Sequence, residues 1–330
     1  MEQPITRPAV FVTRAIHEPA IEKIRAIAEV EVWQEDSAPP KSVLLDRASR
    51  VEGILSLLTD PIDAEIITAG VGHLKVISQM AVGFDNIDIK SATARHIPVG
   101  NTPGVLTETT ADMAWALIMA TARRIPEADR QVRNGTWLPW GPHVLTGTDI
   151  FGATLGIIGM GRIGQAVARR ATGFGMQILY TDIQRIPEFE AEINARFVSL
   201  DQLLGEADFI TVHSFLSPEN YHLIGKAQFE KMKPGAILIN TARGGLVDPQ
   251  ALTEALRSGQ IAAAGLDVFE PEPIPTNHPL LTMENVVITP HIASASTQTR
   301  LRMAMMAADN LIAGLQGRHL PYCANPGVYD

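Results

Sequence analysis

Three groups of charged or titratable side chains follow short apolar runs in the second half of the chain. Arg243 closes "AILINTAR" (236–243), the acids of Asp267-Val268-Phe269-Glu270-Pro271-Glu272 follow "AAAGL" (262–266), and His291 follows "NVVITP" (285–290). Singly, each has a plain explanation: a solvated charge, acids marking a turn, a structural histidine. Jointly they make a working set. An arginine can hold a carboxylate through two parallel N–H bonds. A histidine can give or take a proton near neutral pH, and a carboxylate beside it favours its protonated form and fixes the ring. Those are the parts needed to reduce the carbonyl of a 2-oxo acid, given a source of hydride.

A source is written upstream. "ATLGIIG" (153–159) leads into Gly159-Met160-Gly161-Arg162-Ile163-Gly164, and the helical pattern "QAVARRATGF" follows. The first glycine permits a tight turn, the second lets backbone approach a pyrophosphate, and the third lets helix pack close on strand. The helix start then offers N–H groups and a positive dipole end to phosphates. The next apolar run, "MQILYTD", ends in Asp182, 182 − 161 = 21 residues after the middle glycine. That is where an acid accepts the adenosine-ribose hydroxyls, and it would repel a 2′-phosphate. NAD(H) is therefore preferred, while Arg185 three residues later leaves NADP(H) open.

These positions need a scaffold that brings strand ends together. In the first hundred residues β-rich runs at 9–13, 30–33, 53–58 and 74–80 alternate with amphipathic stretches such as Ile16–Ala28 and Asp60–Ala69. The alternation pauses at Pro103-Gly104, before a long apolar helix opening near Thr107–Thr110, and resumes with six runs at 153–159, 176–182, 208–214, 236–241, 262–268 and 285–290. Such alternation implies two parallel sheets with crossover helices, the second of six strands and doubly wound. A last helix, about Thr297–Leu315, follows a sheet that is already complete and is expected to return to the first domain.

Composition narrows the partners. The chain has 330 residues, 46% of them hydrophobic, enough for two ordinary cores. Net charge is 27 − 36 = −9 with no run of like charges, which argues against nucleic acid or an anionic membrane and for a small-molecule substrate. Cys323 is the sole cysteine, the N-terminus lacks the apolar stretch of a secretory signal, and no run reaches the ~20 apolar residues of a membrane span, so a cytoplasmic location is expected. The remaining histidines, His222 among them, form no spaced ligand set, and no metal site is expected. Neither a G-x-S-x-G elbow nor an activated cysteine is evident.

Read as a whole, the sequence resembles the D-isomer-specific 2-hydroxyacid dehydrogenases, and within them the glyoxylate/hydroxypyruvate reductases. The resemblance is carried by "AVGFDNIDI" (81–89), "NTPGVLTETTADMAWALIMATAR" (101–123), "GIIGMGRIGQAVARR" (156–170), "LINTARGGLVD" (238–248), "AGLDVFEPEP" (264–273) and "TPHIASA" (289–295). It implies a Rossmann NAD-binding domain, residues 102–290, inserted in a flavodoxin-like substrate domain made of 1–101 and 291–330. It places the catalytic groups on Arg243, Glu272 rather than Glu270, and His291. It assigns the substrate carboxylate to the backbone of Val82 and Gly83, with Leu58 nearby. Thr107, Thr241, Ala242 and Asp267 are expected near the cofactor together with residues 159–164, Asp182 and His213. It also implies a homodimer, for which the long helix and "WLPWGPHVLTG" (137–147) are the expected surfaces. Phe215, where relatives often carry proline, and Ala293, in place of a usual glycine, depart from the pattern. D-Lactate, 3-phosphoglycerate, formate and phosphite are the alternative substrates, and a dinucleotide-sensing corepressor the alternative class. The lack of an appended regulatory domain argues against the longer 3-phosphoglycerate enzymes.

Overall fold

The computed structural model describes residues 7–330; the first six residues of the N-terminus read above as lacking a secretory signal lie outside the described residues. The chain divides into two compact units. Unit 1 comprises the described residues up to Leu106 together with Ala295–Asp330, and unit 2 is Thr107–Ser294.

Unit 1 is built on five parallel strands, β1 (Ala9–Val12), β2 (Glu29–Val32), β3 (Gly53–Ser56), β4 (Val76–Gln79) and β5 (Val99–Gly100), in the order β2-β1-β3-β4-β5. This is the flavodoxin-like order. β3 and β4 are buried at every residue, as a central parallel strand covered on both faces must be. The helix Thr297–Leu315 lies on this sheet, where Ser78 Oγ donates to the Ala307 carbonyl at 2.7 Å and Gly314 meets Val76. Four of the five strands stand in the sequence pattern; β5 does not, because two residues are too few to show any period.

Unit 2 carries seven parallel strands, β6 (Thr154–Ile158), β7 (Gln177–Thr181), β8 (Ala195–Phe197), β9 (Phe209–Val212), β10 (Ile237–Asn240), β11 (Ala263–Leu266) and β12 (Val286–Ile288), in the order β12-β11-β10-β9-β6-β7-β8. The order reverses between β6 and β9, which is the point where a doubly wound sheet opens a ligand crevice beyond its carboxyl ends. The expected count of six strands falls short by β8. That strand is a three-residue edge whose Arg196 and Phe197 are exposed, so it lacks the apolar run by which the others are recognised.

Both faces of the second sheet are packed. On one, Ala111, Trp115 and Ile118 of the helix Thr107–Ala122 meet Leu155, Ile157 and Tyr180; Trp115 stacks on Phe174 at 4.5 Å and donates its indole N–H to the Val167 carbonyl. On the other, Leu203, Phe229, Leu246, Leu252 and Leu256 cover Ile210, Leu238 and Leu266. Each such side chain contributes roughly 1.5–3 kcal/mol by leaving water. The chain passes from one unit to the other at 106/107 and 294/295 rather than at 101/102 and 290/291. The helix that begins at Thr107 and the loop that carries His291 are both tied into unit 2, the loop through Asp267. Among the described residues no helix is long and apolar enough to cross a membrane.

Candidate active site

At the end of β6, Gly159 takes φ +94°, and a Cβ there would lie 2.7 Å from the Ser214 backbone nitrogen. Any other residue would strain the turn and strike the neighbouring loop. A Cβ on Gly164 would lie 2.2 Å from the Gly159 carbonyl oxygen, so the helix Arg162–Thr172 can seat against the turn only with glycine at that position. Gly161 is different: a Cβ there would meet open space. It caps the helix with no side-chain bond to the first N–H groups. That is a cradle a side chain would fill and a phosphate can enter.

Asp182, after β7, accepts from the Met160 backbone N–H and from the Ile183 N–H, both at 2.6 Å, and so joins the strand end to the glycine loop. Arg185 is held by Glu190, with Nε–Oε1 at 2.8 Å and Nη2–Oε2 at 2.7 Å, and Tyr180 Oη also donates to Glu190 at 2.7 Å. The Arg185 and Tyr180 bonds hold the Glu190 carboxyl below its usual range. The cation that left the cofactor question open is therefore occupied. His213, after β9, donates its backbone N–H to the Ile158 carbonyl and shares a 2.9 Å hydrogen bond with Thr211 Oγ1. Its ring keeps some surface exposure yet is enclosed by protein, and burial pushes its pKa down to about 3, so the ring is neutral. Thr241, at the end of β10, is buried with its hydroxyl lacking a protein partner. An open cradle at Gly161, a fixed acid at Asp182 and an orphan hydroxyl at Thr241 fit a dinucleotide.

Arg243 stands two residues beyond Thr241. Asn240 braces the turn between them, its Nδ2 donating to the Arg243 carbonyl at 2.9 Å and its Oδ1 accepting from the Ala242 N–H at 3.0 Å. Sequence reading passed over Asn240, although an amide at the end of a wholly buried strand is itself a signal.

His291 and Glu272 are in direct contact: Nδ1 of the ring lies 2.8 Å from Glu272 Oε2, while Oε1 accepts from the Phe269 N–H at 2.8 Å. Burial alone would raise the Glu272 carboxyl. The hydrogen bond and charge of His291, the Phe269 N–H and the field of Arg243 outweigh burial and hold it below its usual range. Glu272 is thus the acid that engages His291, whereas Glu270 turns to His222 at 2.8 Å.

His291 itself has φ +54°, a left-handed backbone that costs of order 1–3 kcal/mol for a residue with a side chain. Asp267 pins it there. Fully buried, Asp267 accepts from Thr289 Oγ1 (2.6 Å) and from the N–H groups of Ile292 (2.9 Å) and Ala293 (2.8 Å), and its carbonyl accepts from the His291 N–H (2.9 Å). Asp267, expected near the cofactor, holds with its carboxylate the loop that carries His291. Ala293 presents its N–H to that carboxylate without obstruction, and Phe215 is exposed on the loop after β9.

Leu58, Val82 and Gly83 belong to unit 1. There Asn86 Nδ2 donates to the Leu57 and Asp60 carbonyls, Gln79 Nε2 to the Gly83 carbonyl, and Asn101 Nδ2 to the Val82 carbonyl. Both loops are thereby fixed from below by side-chain amides.

Residues 115–293 match the family model described as D-isomer specific 2-hydroxyacid dehydrogenase, NAD binding domain. The chain is 54% identical to a glyoxylate reductase of Korarchaeum cryptofilum over 98% of this chain and 97% of that one, and 50% identical to a glyoxylate reductase of Thermococcus litoralis over 98% of each. Among solved structures it is similar to a protein of Thermus thermophilus (TM-score 0.90, 47% identity, 96% and 99% coverage). It is also similar to the NADPH-dependent glyoxylate/hydroxypyruvate reductase of Sinorhizobium meliloti in complex with NADP and malonate (TM-score 0.87, 31% identity, 98% of each chain).

Proposed function

The chain belongs to the D-isomer specific 2-hydroxyacid dehydrogenases, NAD(P)-dependent oxidoreductases, and on that premise we propose that it reduces glyoxylate or hydroxypyruvate to the 2-hydroxy acid. The observation that carries this reading is the His291–Glu272 pair, set beyond the same sheet edge as the glycine cradle and Arg243.

The nicotinamide dinucleotide, when bound, supplies the hydride. Residues Gly159–Gly164, with Met160, Arg162 and Ile163, would hold its pyrophosphate, Asp182 its ribose, and Thr107, His213, Thr241 and Ala242 its remaining length. Because Nδ1 of His291 is engaged by Glu272, Nε2 is the nitrogen left to protonate the forming alkoxide. Arg243 polarises the carbonyl and orients the carboxylate, whose other contacts we assign to the backbone of Val82 and Gly83, with Leu58 nearby. NADH is the preferred donor, since Asp182 opposes a 2′-phosphate and Arg185 is committed to Glu190.

A panel of 2-oxo acids offered with NADH and with NADPH, followed by nicotinamide absorbance, tests this. Oxidation is expected with glyoxylate or hydroxypyruvate, at higher kcat/KM for NADH. Absence of oxidation with every acid would replace the enzyme by a dinucleotide-sensing protein, and a preference for NADPH would remove the argument from Asp182.

Glu272→Gln gives a pH test. It takes away the negative charge that favours a cationic imidazole, and reduction needs the proton donor charged. The basic limb of the kcat/KM profile should move to lower pH than in wild type, and an unmoved limb would separate Glu272 from the proton transfer.

We also assign a homodimer in the cytoplasm. Trp137, Leu138 and Trp140 are 70%, 67% and 88% exposed on one stretch, an apolar surface of the kind a second copy covers. Sedimentation at several concentrations should give twice the chain mass; a single-chain mass throughout would withdraw the assignment.

A further inference from the structure

A second histidine–carboxylate contact lies two residues from the catalytic one. Glu270 accepts from Tyr221 Oη at 3.0 Å through one oxygen, and its other oxygen lies 2.8 Å from His222 Nε2. The Tyr221 and His222 rings are stacked at 3.9 Å. His222 also faces Asp248, with Nδ1 4.0 Å from Oδ2, and Asp248 caps the helix Pro249–Ser258 by accepting from the Gln250 and Ala251 N–H groups. His222 has φ +53°. Two left-handed histidines, His222 and His291, thus face the two glutamates of one short loop.

The backbone around His222 reaches the arginine loop. The His222 N–H donates to the Gly245 carbonyl at 2.8 Å, the Ile224 N–H to the Leu246 carbonyl at 3.0 Å, and the Asp248 N–H to the Ile224 carbonyl at 2.9 Å. A Cβ on Gly244 would lie 1.9 Å from the Phe269 carbonyl oxygen, so the loops that carry Arg243 and Glu272 touch backbone to backbone. Residues 221–224 therefore grip both loops at once: the arginine loop through the main chain and the glutamate loop through Glu270.

We propose that Glu270, clamped by Tyr221 and His222, is a positioning residue that sets Glu272 against His291 and fixes that pair relative to Arg243. The proposal rests on the reduction of 2-oxo acids inferred above. Only Pro271 separates Glu270 from Glu272, and the Phe269 N–H is already bonded to Glu272, so the segment has little slack. A shift at Glu270 is passed to the carboxylate that holds the proton donor. A misplacement of about 1 Å at a reacting group can cost about a hundredfold in rate, and release of an exposed brace should cost less.

The decisive variant is Tyr221→Phe with His222→Phe, which keeps the stacked rings, removes both hydrogen bonds to Glu270 and leaves its charge in place; Glu270→Gln is the second, should the first not fold. Two readouts are compared with wild type: turnover against pH, and the ring titration of His291 followed by NMR, which needs no turnover. In both variants kcat should fall on the order of tenfold with KM for NADH little changed. The basic limb and the His291 titration should both move to lower pH. A purely structural brace would lower the unfolding temperature and leave both pH readouts at their wild-type positions, and that result overturns the proposal. If wild type oxidises NADH with no 2-oxo acid, the assigned activity fails, and the NMR comparison still decides whether the clamp governs His291.

Discussion

His291→Gln should lower turnover by roughly 10²–10⁴-fold, the worth of a positioned general acid, with NADH affinity close to wild type. Glutamine can still donate a hydrogen bond toward the forming alkoxide but has no proton to release at working pH. Its amide carries no positive charge, so Glu272 loses the charged partner that helps offset its burial. The dinucleotide contacts assigned to Gly159–Gly164 and Asp182 lie on other loops and are untouched. NADH binding read by fluorescence, alongside steady-state turnover, separates the two effects. Retained turnover would deny His291 the proton, and loss of NADH affinity in parallel would mean the loop also shapes the cofactor site.

Asp267→Ala should be the most destabilising single change at the site. Its carboxylate is the acceptor for two backbone N–H groups and one hydroxyl, and the residue is fully buried. Each buried donor left without a partner costs about 1–3 kcal/mol, and because the three share one cavity the total should be on the order of 3 kcal/mol. For a unit of this size that lowers Tm by on the order of 10 °C. The residual enzyme should also turn over slowly, since only the backbone bonds of the His291 N–H then remain to hold its left-handed conformation, without the carboxylate contacts to Thr289, Ile292 and Ala293. Thermal unfolding and activity measured on the same preparation decide it; a variant as stable as wild type would show that Asp267 is not the anchor. Asp267→Asn, which keeps one acceptor oxygen, should fall between the two.

The residues proposed for catalysis were legible in the sequence because each stands at the end of an apolar run, and the parallel sheet turns such run ends into neighbours. Arg243, His291 and the glycine loop follow that rule directly. The helix Thr297–Leu315 was legible for a similar reason, being long and periodic. What escaped notice is whatever pairs across distant loops. Tyr221 and His222 reach Glu270 from 49 and 48 residues away with no shared spacing, and His222 therefore looked like any other surface histidine. Asp267 was visible, but its hold on the following loop was not. A buried carboxylate after a strand is equally a ligand for a cofactor or an anchor for the next loop, and only the three donors around it distinguish them. β5 and β8 were lost because two and three residues cannot display a period of two, and β8 exposes the residues that would have marked it.

The left-handed backbone at His291 sets stability and chemistry against each other at a single codon. Glycine would take φ +54° at little cost and would relieve strain there, at the price of removing the proposed proton donor. Directed evolution that scores only heat resistance would therefore favour inactive winners at this position, and a thermostabilisation campaign on this enzyme has to hold residue 291 out of its library.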